Sequence, residues 1–362
     1  MKIDKYRSFN DSLKSDFNDI FSRTESLWSK IKNKNFFLTG CTGFFGYWIL
    51  KSFLKANQEF KLNSQAYVLT RKKNLKQNPI HKLCSDPSII FYKGDIRNFK
   101  YPRKKFEFII HGATTTASET FNKQDPLEKS SILIDGTKNI LRFAKYCGCK
   151  NFLFLSSGAV YGNQPLNLKR ISEHSNLAPK TDDKNFDLSV LGEVKRVAEL
   201  LTTIYSEKKY FNTKIARCFS FVGPLIPLNI HYAIGNFLQK AILKKEIKIN
   251  STGKSVRSYM YMTDLTIWLW YILFKGKNSG IYNVGSEEEV KVKDLAKIIN
   301  SLTNNNKKIS YKKIKKNTKI SRYIPSTSKI RKEFKINQKI KLKQSIIKTY
   351  QNILKNRDFY EI

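Results

Sequence analysis

The segment Thr39-Gly40-Cys41-Thr42-Gly43-Phe44-Phe45-Gly46 spaces three glycines at i, i+3 and i+6. Between a strand and a helix such a turn holds an anion without any charged side chain. Gly40 permits the tight turn, Gly43 lets backbone N–H groups approach a pyrophosphate, and Gly46 lets helix and strand pack closely. The chemistry implied is dinucleotide binding, with NAD or NADP as the cofactor. In Leu69-Thr70-Arg71-Lys72-Lys73, where an NAD site usually carries an acid for the ribose 2′-hydroxyl, no acid is present. Arg71 is instead suited to a 2′-phosphate, which leans toward NADP. Asp95, in Gly94-Asp95-Ile96-Arg97, is the candidate for the adenine edge. Five scattered cysteines (Cys41, Cys84, Cys147, Cys149, Cys218) form neither a disulfide framework nor a metal set, because Cys147-Gly148-Cys149 lacks a second ligand pair at metal spacing.

These residues need elements to hold them. Phe36 to Thr39 is a short apolar run and Phe44 to Leu54 has helical periodicity, so residues 36 to 56 are expected to form strand, turn and helix. Further strands are expected at 66–70, 89–92, 106–111, 151–155 and 213–217, with helices over 125–146 and 189–206. Strands alternating with helices require crossovers, hence a mainly parallel sheet covered on both faces. Upstream, residues 11 to 32 carry Leu13, Phe17, Ile20, Phe21, Leu27, Trp28 and Ile31 at mostly helical spacing, predicting an amphipathic lead-in helix within residues 1–34. Residues 35–218 are expected to form the sheet domain, to which 256–285 return. Residues 219–255 and 286–362, punctuated first by Pro and Gly and later rich in lysine, are expected to form a smaller cap.

The chain has 362 residues, 41% apolar and 13% aromatic, which excludes a disordered protein. Its longest apolar run, Ile267 to Phe274, falls far short of the ~18 residues a membrane span needs. The first thirty residues lack the apolar core and cleavage site of a signal peptide, so a cytoplasmic location is expected. Charge is the one extreme: 67 Lys and Arg against 29 Asp and Glu give +38. The lysines run through the whole chain instead of forming one stripe with interleaved aromatics, which favours solvated faces over nucleic-acid binding. The densest cluster is Lys307 to Lys319.

Seven motifs, in order, resemble the extended short-chain dehydrogenase/reductase family, specifically its nucleotide-sugar epimerases and dehydratases. The glycine turn is similar to that family's TGxxGxxG, Gly94-Asp95-Ile96-Arg97 to its GDIRD, and His111-Gly112-Ala113 to its HxA. Gly136-Thr137-Lys138-Asn139 resembles GTxN, and Ser156-Ser157-Gly158-Ala159-Val160-Tyr161-Gly162 resembles SSxxVYG. Residues 216–224 resemble ARxFNxYGP, and 257–265 resemble RSYxYVxDL. The resemblance covers roughly residues 35 to 330 and implies a Rossmann-type doubly wound parallel sheet with a smaller mixed α/β substrate-binding cap, binding NAD or NADP and a nucleotide-diphospho-sugar, as a homodimer. Thr39, Gly40, Thr42, Gly43, Phe44, Phe45, Gly46, Arg71, Asp95, Ile96, His111, Ala113 and Lys195 are the implied cofactor residues.

The resemblance also implies catalysis by transient oxidation of a sugar hydroxyl. In the family a Tyr takes the proton, its pKa lowered by a Lys four residues later and helped by a Ser or Thr. Here the Ser position is Ser157 and the Lys position is Lys195, in Leu191-Gly192-Glu193-Val194-Lys195-Arg196-Val197-Ala198-Glu199. The Tyr position is Leu191, and leucine exchanges no proton. Lys195, a water held by Ser157, His174, His231 and Glu193 are the alternative bases. The residues after Ser157 are Gly158 and Ala159, where dehydrating and decarboxylating relatives carry acids, so an epimerase is expected. A 4,6-dehydratase, a 4-keto reductase and a lapsed nucleotide-sugar binder are the alternatives. Arg217, Arg257 and Arg322 fall in segments that in the family lie near the diphosphate. Ser220 replaces the family's Asn and joins Ser157, Arg257 and Arg322 as a substrate-site candidate.

Overall fold

The computed structural model describes residues 5–29, 31–71, 79–113, 125–181, 186–229, 232–311 and 320–360. Six strands, β1 (Phe36–Thr39), β2 (Ala66–Thr70), β3 (Ile89–Lys93), β4 (Phe108–His111), β5 (Asn151–Ser157) and β6 (Asn212–Cys218), join Gly280–Val284 in one sheet. Its order is Gly280–Val284, β6, β5, β4, β1, β2, β3, and every pairing is parallel. Strand order reverses between β1 and β4, the switch point at which a doubly wound sheet opens a crevice beyond its strand ends.

Both faces of the sheet are covered, so the central strands β1 and β4 are buried along their whole length without alternation. On β1, Phe36 and Leu38 enter one core cluster and Phe37 the other. Phe36 stacks on Phe108 at 4.8 Å, and Phe37 on Phe99 at 5.4 Å. The cluster around Phe37 is closed by the helices Pro126–Tyr146 and Phe186–Glu207. Asp125 caps the first of these by accepting from Leu127 N–H at 3.1 Å, with Pro126 in the first turn, where a missing N–H costs nothing.

On the other face lie three helices, α1 (Lys5–Ser12), α2 (Lys14–Trp28) and α3 (Phe44–Glu59), together with Met262–Lys275. The apolar run Ile267 to Phe274 belongs to that last helix. It is a core element sandwiched between α2 and the sheet, with Trp270 against Trp28 at 4.7 Å. Among the described residues no helix is long and apolar enough to cross a membrane. The expected lead-in helix breaks into α1 and α2 at Leu13, where Ser12 Oγ donates to Phe9 O at 2.6 Å and φ reaches −110°. The bend lets Phe9 stack on Phe359 while Phe17 meets Trp48. Arg23 of α2 then donates to the buried Asp264 at 2.9 Å, tying the lead-in helices to the core.

A third cluster is built by the helices Ala233–Ile242, Val292–Leu302 and Leu342–Lys355 with the strands Ile247–Ile249 and Ile309–Tyr311. A small sheet beside it orders Val290–Lys291, Val256–Arg257 and Arg322–Tyr323. The cluster Lys307 to Lys319 lies partly, and Lys72-Lys73 wholly, outside the described residues.

Candidate active site

The carboxyl ends of β1, β4, β5 and β6 converge, with Thr39 in register with His111, and Ser157 with Cys218. Gly40 takes φ +73° and packs so tightly on the Gly112–Ala113 backbone that a Cβ would overlap it. Gly46 is equally closed by the backbone of Cys41. Gly43 differs. It sits at the N-cap of α3 with no side-chain cap, and a Cβ there would meet nothing within 4 Å. The first N–H groups of α3 thus face open space beside a positive helix end, a cradle that fits a pyrophosphate. Phe45 packs edge-on against Phe221 at 5.1 Å, while Phe44 and Thr42 are half-buried.

A hydrogen-bonded chain fixes β1 to β4. Thr137 Oγ1 donates to Leu133 O at 2.6 Å, so it accepts from His111 Nε2–H at 3.1 Å. His111 Nδ1 therefore accepts from Thr39 Oγ1 at 2.7 Å, and Thr39 Oγ1 accepts from Ala113 N–H at 3.2 Å. Burial, reinforced by the Lys195 charge, pushes the His111 pKa down to about 3, in keeping with this neutral tautomer. Gly136 and Asn139 complete the support: a Cβ at Gly136 would strike Ile96, and Asn139 Nδ2 donates to Ile96 O at 2.9 Å. Asp95 accepts from Arg97 through Nε and Nη2, both at 3.0 Å, which together with backbone N–H and the charge of Arg71 holds its carboxyl below the usual value despite burial.

Lys195 lies on the helix Phe186–Glu207 and is buried. Its Nζ donates to Leu155 O at 2.8 Å, two residues before Ser157, and stands 4.6 Å from the Phe154 ring centre. Burial lowers its pKa to about 8, with Cys218 and Glu199 acting to raise it. Leu191, one turn earlier, is half-buried. Ser157 Oγ accepts from Ala159 N–H at 3.1 Å.

The three arginines separate. Arg217 spends its guanidinium on Glu199, with Nη2 at 2.6 Å and Nε at 3.0 Å, and on Tyr161 Oη at 2.8 Å. Ser156 Oγ donates to the same carboxylate at 2.5 Å, and Tyr161 passes its proton toward Asn283 Oδ1 at 2.9 Å. Arg322 Nη2 is tied to Glu289 at 2.6 Å, and its Nε is buried without a hydrogen-bond partner. Arg257 donates to Val256 O, Ser321 O and Ser321 Oγ, and among the described residues no carboxylate reaches it. Burial lowers its pKa, while Tyr259 and Tyr323 act to raise it. Ser220 accepts from Met260 N–H at 3.0 Å through its carbonyl. His174 is exposed, Glu193 pairs with Arg196 at 3.7 Å, and His231 lies outside the described residues. No cluster of metal ligands occurs among the described residues.

Tyr323 was not visible in the sequence. It arrives beside Ser157 and Gly158 from the small sheet, with the Phe219 ring tilted against it at 4.6 Å. Glu199 had a signal, being four residues after Lys195 and so on the same helix face.

A parallel sheet whose glycine turn sits at the switch point defines a Rossmann-type dinucleotide-binding protein. Residues 36–285 match the NAD dependent epimerase/dehydratase family, and the chain belongs to that family, whose members act on nucleotide sugars. Among curated relatives it is similar to UDP-glucuronic acid decarboxylase 4 of Arabidopsis thaliana, with 29% identity over 56% of this chain, and the match spans only 44% of that protein. Among solved structures, UDP-glucose 4-epimerase of Thermotoga maritima with UDP-glucose superposes with TM-score 0.74 at 20% identity, covering 89% of this chain and 99% of that one. The dTDP-glucose 4,6-dehydratase of Bacillus anthracis in complex with NAD gives TM-score 0.72 at 20% identity, covering 91% and 99%.

Proposed function

We propose that this chain is an NAD- or NADP-dependent nucleotide-sugar epimerase of the cytoplasm, serving surface-polysaccharide synthesis and working through transient oxidation of a sugar hydroxyl. The observation that carries this reading is the end of β5. Ser157 lies there with Lys195 bonded two residues before it, and Gly158 and Ala159 follow where an elimination or decarboxylation would call for an acid. Residues 219–255 and 286–362 act as the substrate-binding cap, and Arg257, a half-buried cation with no acid beside it among the described residues, takes the diphosphate oxygens. Arg217, committed to Glu199, buttresses the site from beneath, and Arg322, bound to Glu289, lines the rim.

When bound, the nicotinamide supplies a reversible hydride acceptor. This chain's residues do the rest. The open N-terminus of α3 at Gly43 receives the pyrophosphate, the His111 chain keeps β1 and β4 in place around it, and Ser157 orients the sugar hydroxyl. Leu191 favours a second reading, a relative that binds nucleotide sugars without turnover.

Mass analysis of small molecules retained on the purified chain, followed by incubation with a panel of nucleotide sugars, separates these outcomes. An epimer of unchanged mass supports the proposal, loss of water or carbon dioxide replaces it with elimination or decarboxylation, and tight binding without product gives the lapsed binder. Gly43→Val tests the cofactor with little risk to the fold, because its side chain enters open space at φ −137°. Nicotinamide cofactor binding is expected to vanish in calorimetry while the melting temperature holds, and unchanged affinity would remove the cofactor assignment.

A homodimer completes the reading. Val197, Leu200 and Ile204 follow one another at i, i+3 and i+7 along the helix Phe186–Glu207, with Leu200 61% exposed, and Leu127 on the neighbouring helix is 79% exposed. Leu200→Glu is expected to convert dimer to monomer in sedimentation, and a native chain that sediments as a monomer would refute the dimer.

A further inference from the structure

The strand Arg322–Tyr323 runs parallel to Val256–Arg257, placing Tyr323 in register with Arg257. Its other side is clamped by Gln164, which bridges Arg322 and accepts from Ile324 N–H at 2.9 Å. So held, the Tyr323 phenol reaches the end of β5, where the Ser157 hydroxyl acts to lower its pKa. Its oxygen lies 2.5 Å from the point that a Cβ on Gly158 would occupy, so the missing side chain at 158 is what admits it. The place after Ser157 where acids were expected in relatives is filled here by a phenol from a distant strand.

We propose that Tyr323 is the proton-exchange partner of this site, taking through Ser157 the sugar-hydroxyl proton that Leu191 has no atom to accept. The inference rests on the nucleotide-sugar reading above. The hydrogen-bond count of Ser157 fits the task. Ala159 N–H fills one lone pair, leaving the second lone pair for the sugar hydroxyl and the serine's own proton for Tyr323 Oη. In the forward step the sugar O–H breaks as Ser157 Oγ takes its proton, and the serine O–H breaks as its proton passes to the tyrosine phenolate. The C–H electron pair leaves as hydride to the oxidised nicotinamide of that reading, and re-reduction runs the sequence backwards.

The groups facing the phenol set its readiness. Burial raises its pKa above 10, and Cys218 and Tyr161 add to the rise, while the Ser157 hydroxyl and the charge of Arg257 oppose it. The proton-accepting form is therefore scarce at neutral pH, and its fraction grows tenfold with each pH unit below that pKa. Turnover is expected to be slow and to climb with pH at the same slope.

Tyr323→Phe keeps the ring against Phe219 and deletes only the hydroxyl. Hydride exchange is expected to fall about 10²- to 10³-fold and to lose its rise with pH, with nucleotide-sugar affinity unchanged. A readout independent of turnover is ultraviolet titration: the native-minus-variant difference should show one phenol ionising above pH 10. Gly158→Ala, whose methyl would press on the Tyr323 phenol and the Phe219 ring, should reproduce the loss with an unaltered far-ultraviolet dichroism of the fold. Leu191→Tyr placed in the Tyr323→Phe chain should restore exchange, since that phenol would lie one turn from Lys195. A native chain that binds and exchanges hydride but is indifferent to Tyr323→Phe overturns this inference alone. A native chain that binds neither nicotinamide nor nucleotide sugar overturns both it and the reading on which it rests.

Discussion

Lys195→Met is expected to silence hydride exchange, by about 10²-fold or more, and at the same time to make the protein more stable at neutral pH. The ammonium is buried beneath β5, with Leu155 O as its one hydrogen-bond acceptor among the described residues and the Phe154 ring beside it. Burial brings its pKa from 10.5 to about 8. Below about 8 both folded and unfolded chains carry the proton, and the folded chain bears the full cost of the buried charge. Between 8 and 10.5 the unfolded chain alone stays protonated, so native stability rises with pH across that window. Above 10.5 neither form is charged and the cost is gone. The difference corresponds to about 3 kcal/mol at pH 7, less whatever the lost bond to Leu155 contributes. Urea denaturation of native and variant chains at pH 7 and pH 10 measures this directly: the methionine chain should lead at pH 7, and its lead should shrink at pH 10. A variant less stable at pH 7, or a lead that widens with pH, would contradict the buried-charge account, and full activity would mean that the active site lies elsewhere.

Glu199→Ala is expected to do the opposite and cost about 3–5 kcal/mol of stability, because it strands the Arg217 guanidinium in the interior. Three of that carboxylate's contacts lie close together: Arg217 Nη2 at 2.6 Å, Arg217 Nε, and Ser156 Oγ at 2.5 Å. Burial disfavours the charged guanidinium, but the bonds and charge of Glu199 more than offset this and hold its pKa up. Replacing both residues by methionine removes charge and countercharge together and should recover most of the loss, since a buried pair swapped for apolar side chains is often near neutral. Thermal denaturation of the single and double variants gives the coupling. Additive losses would show that the pair does not act as a unit. The pair also bears on function, because Ser156 precedes Ser157 and Glu199 lies one turn from Lys195, so its removal should impair exchange even where the chain remains folded.

The glycine turn, the alternation of strands and helices and the seven motifs were legible because each is a short-range constraint. Gly40 needs a positive φ, β1 needs side chains that bury on both faces, and the helical spacing from Asp125 onward begins with a capping Asp and a Pro that suits the first turn. The eight-residue apolar run of Ile267 to Phe274 was legible as too short for a membrane, though only its neighbours made it the helix between α2 and the sheet. The break at Leu13 was not legible, since the helical spacing of Leu13, Phe17 and Ile20 continues across it and the bend serves the distant Phe359 and Trp48.

The cofactor turn, the parallel sheet that carries it and the family to which the chain belongs are all written in local pattern. So is the missing phenol at Leu191. Which arginine is free of an acid follows from long-range packing, with Arg217 bound to Glu199, Arg322 to Glu289 and Arg257 to none among the described residues. The same packing sets the Tyr323 phenol against Gly158, next to Ser157. The two differ in range. A turn is fixed by the steric demands of adjacent residues, whereas the pairing of a charge or a hydroxyl depends on which strand ends the sheet order brings together, and no local pattern encodes that distance.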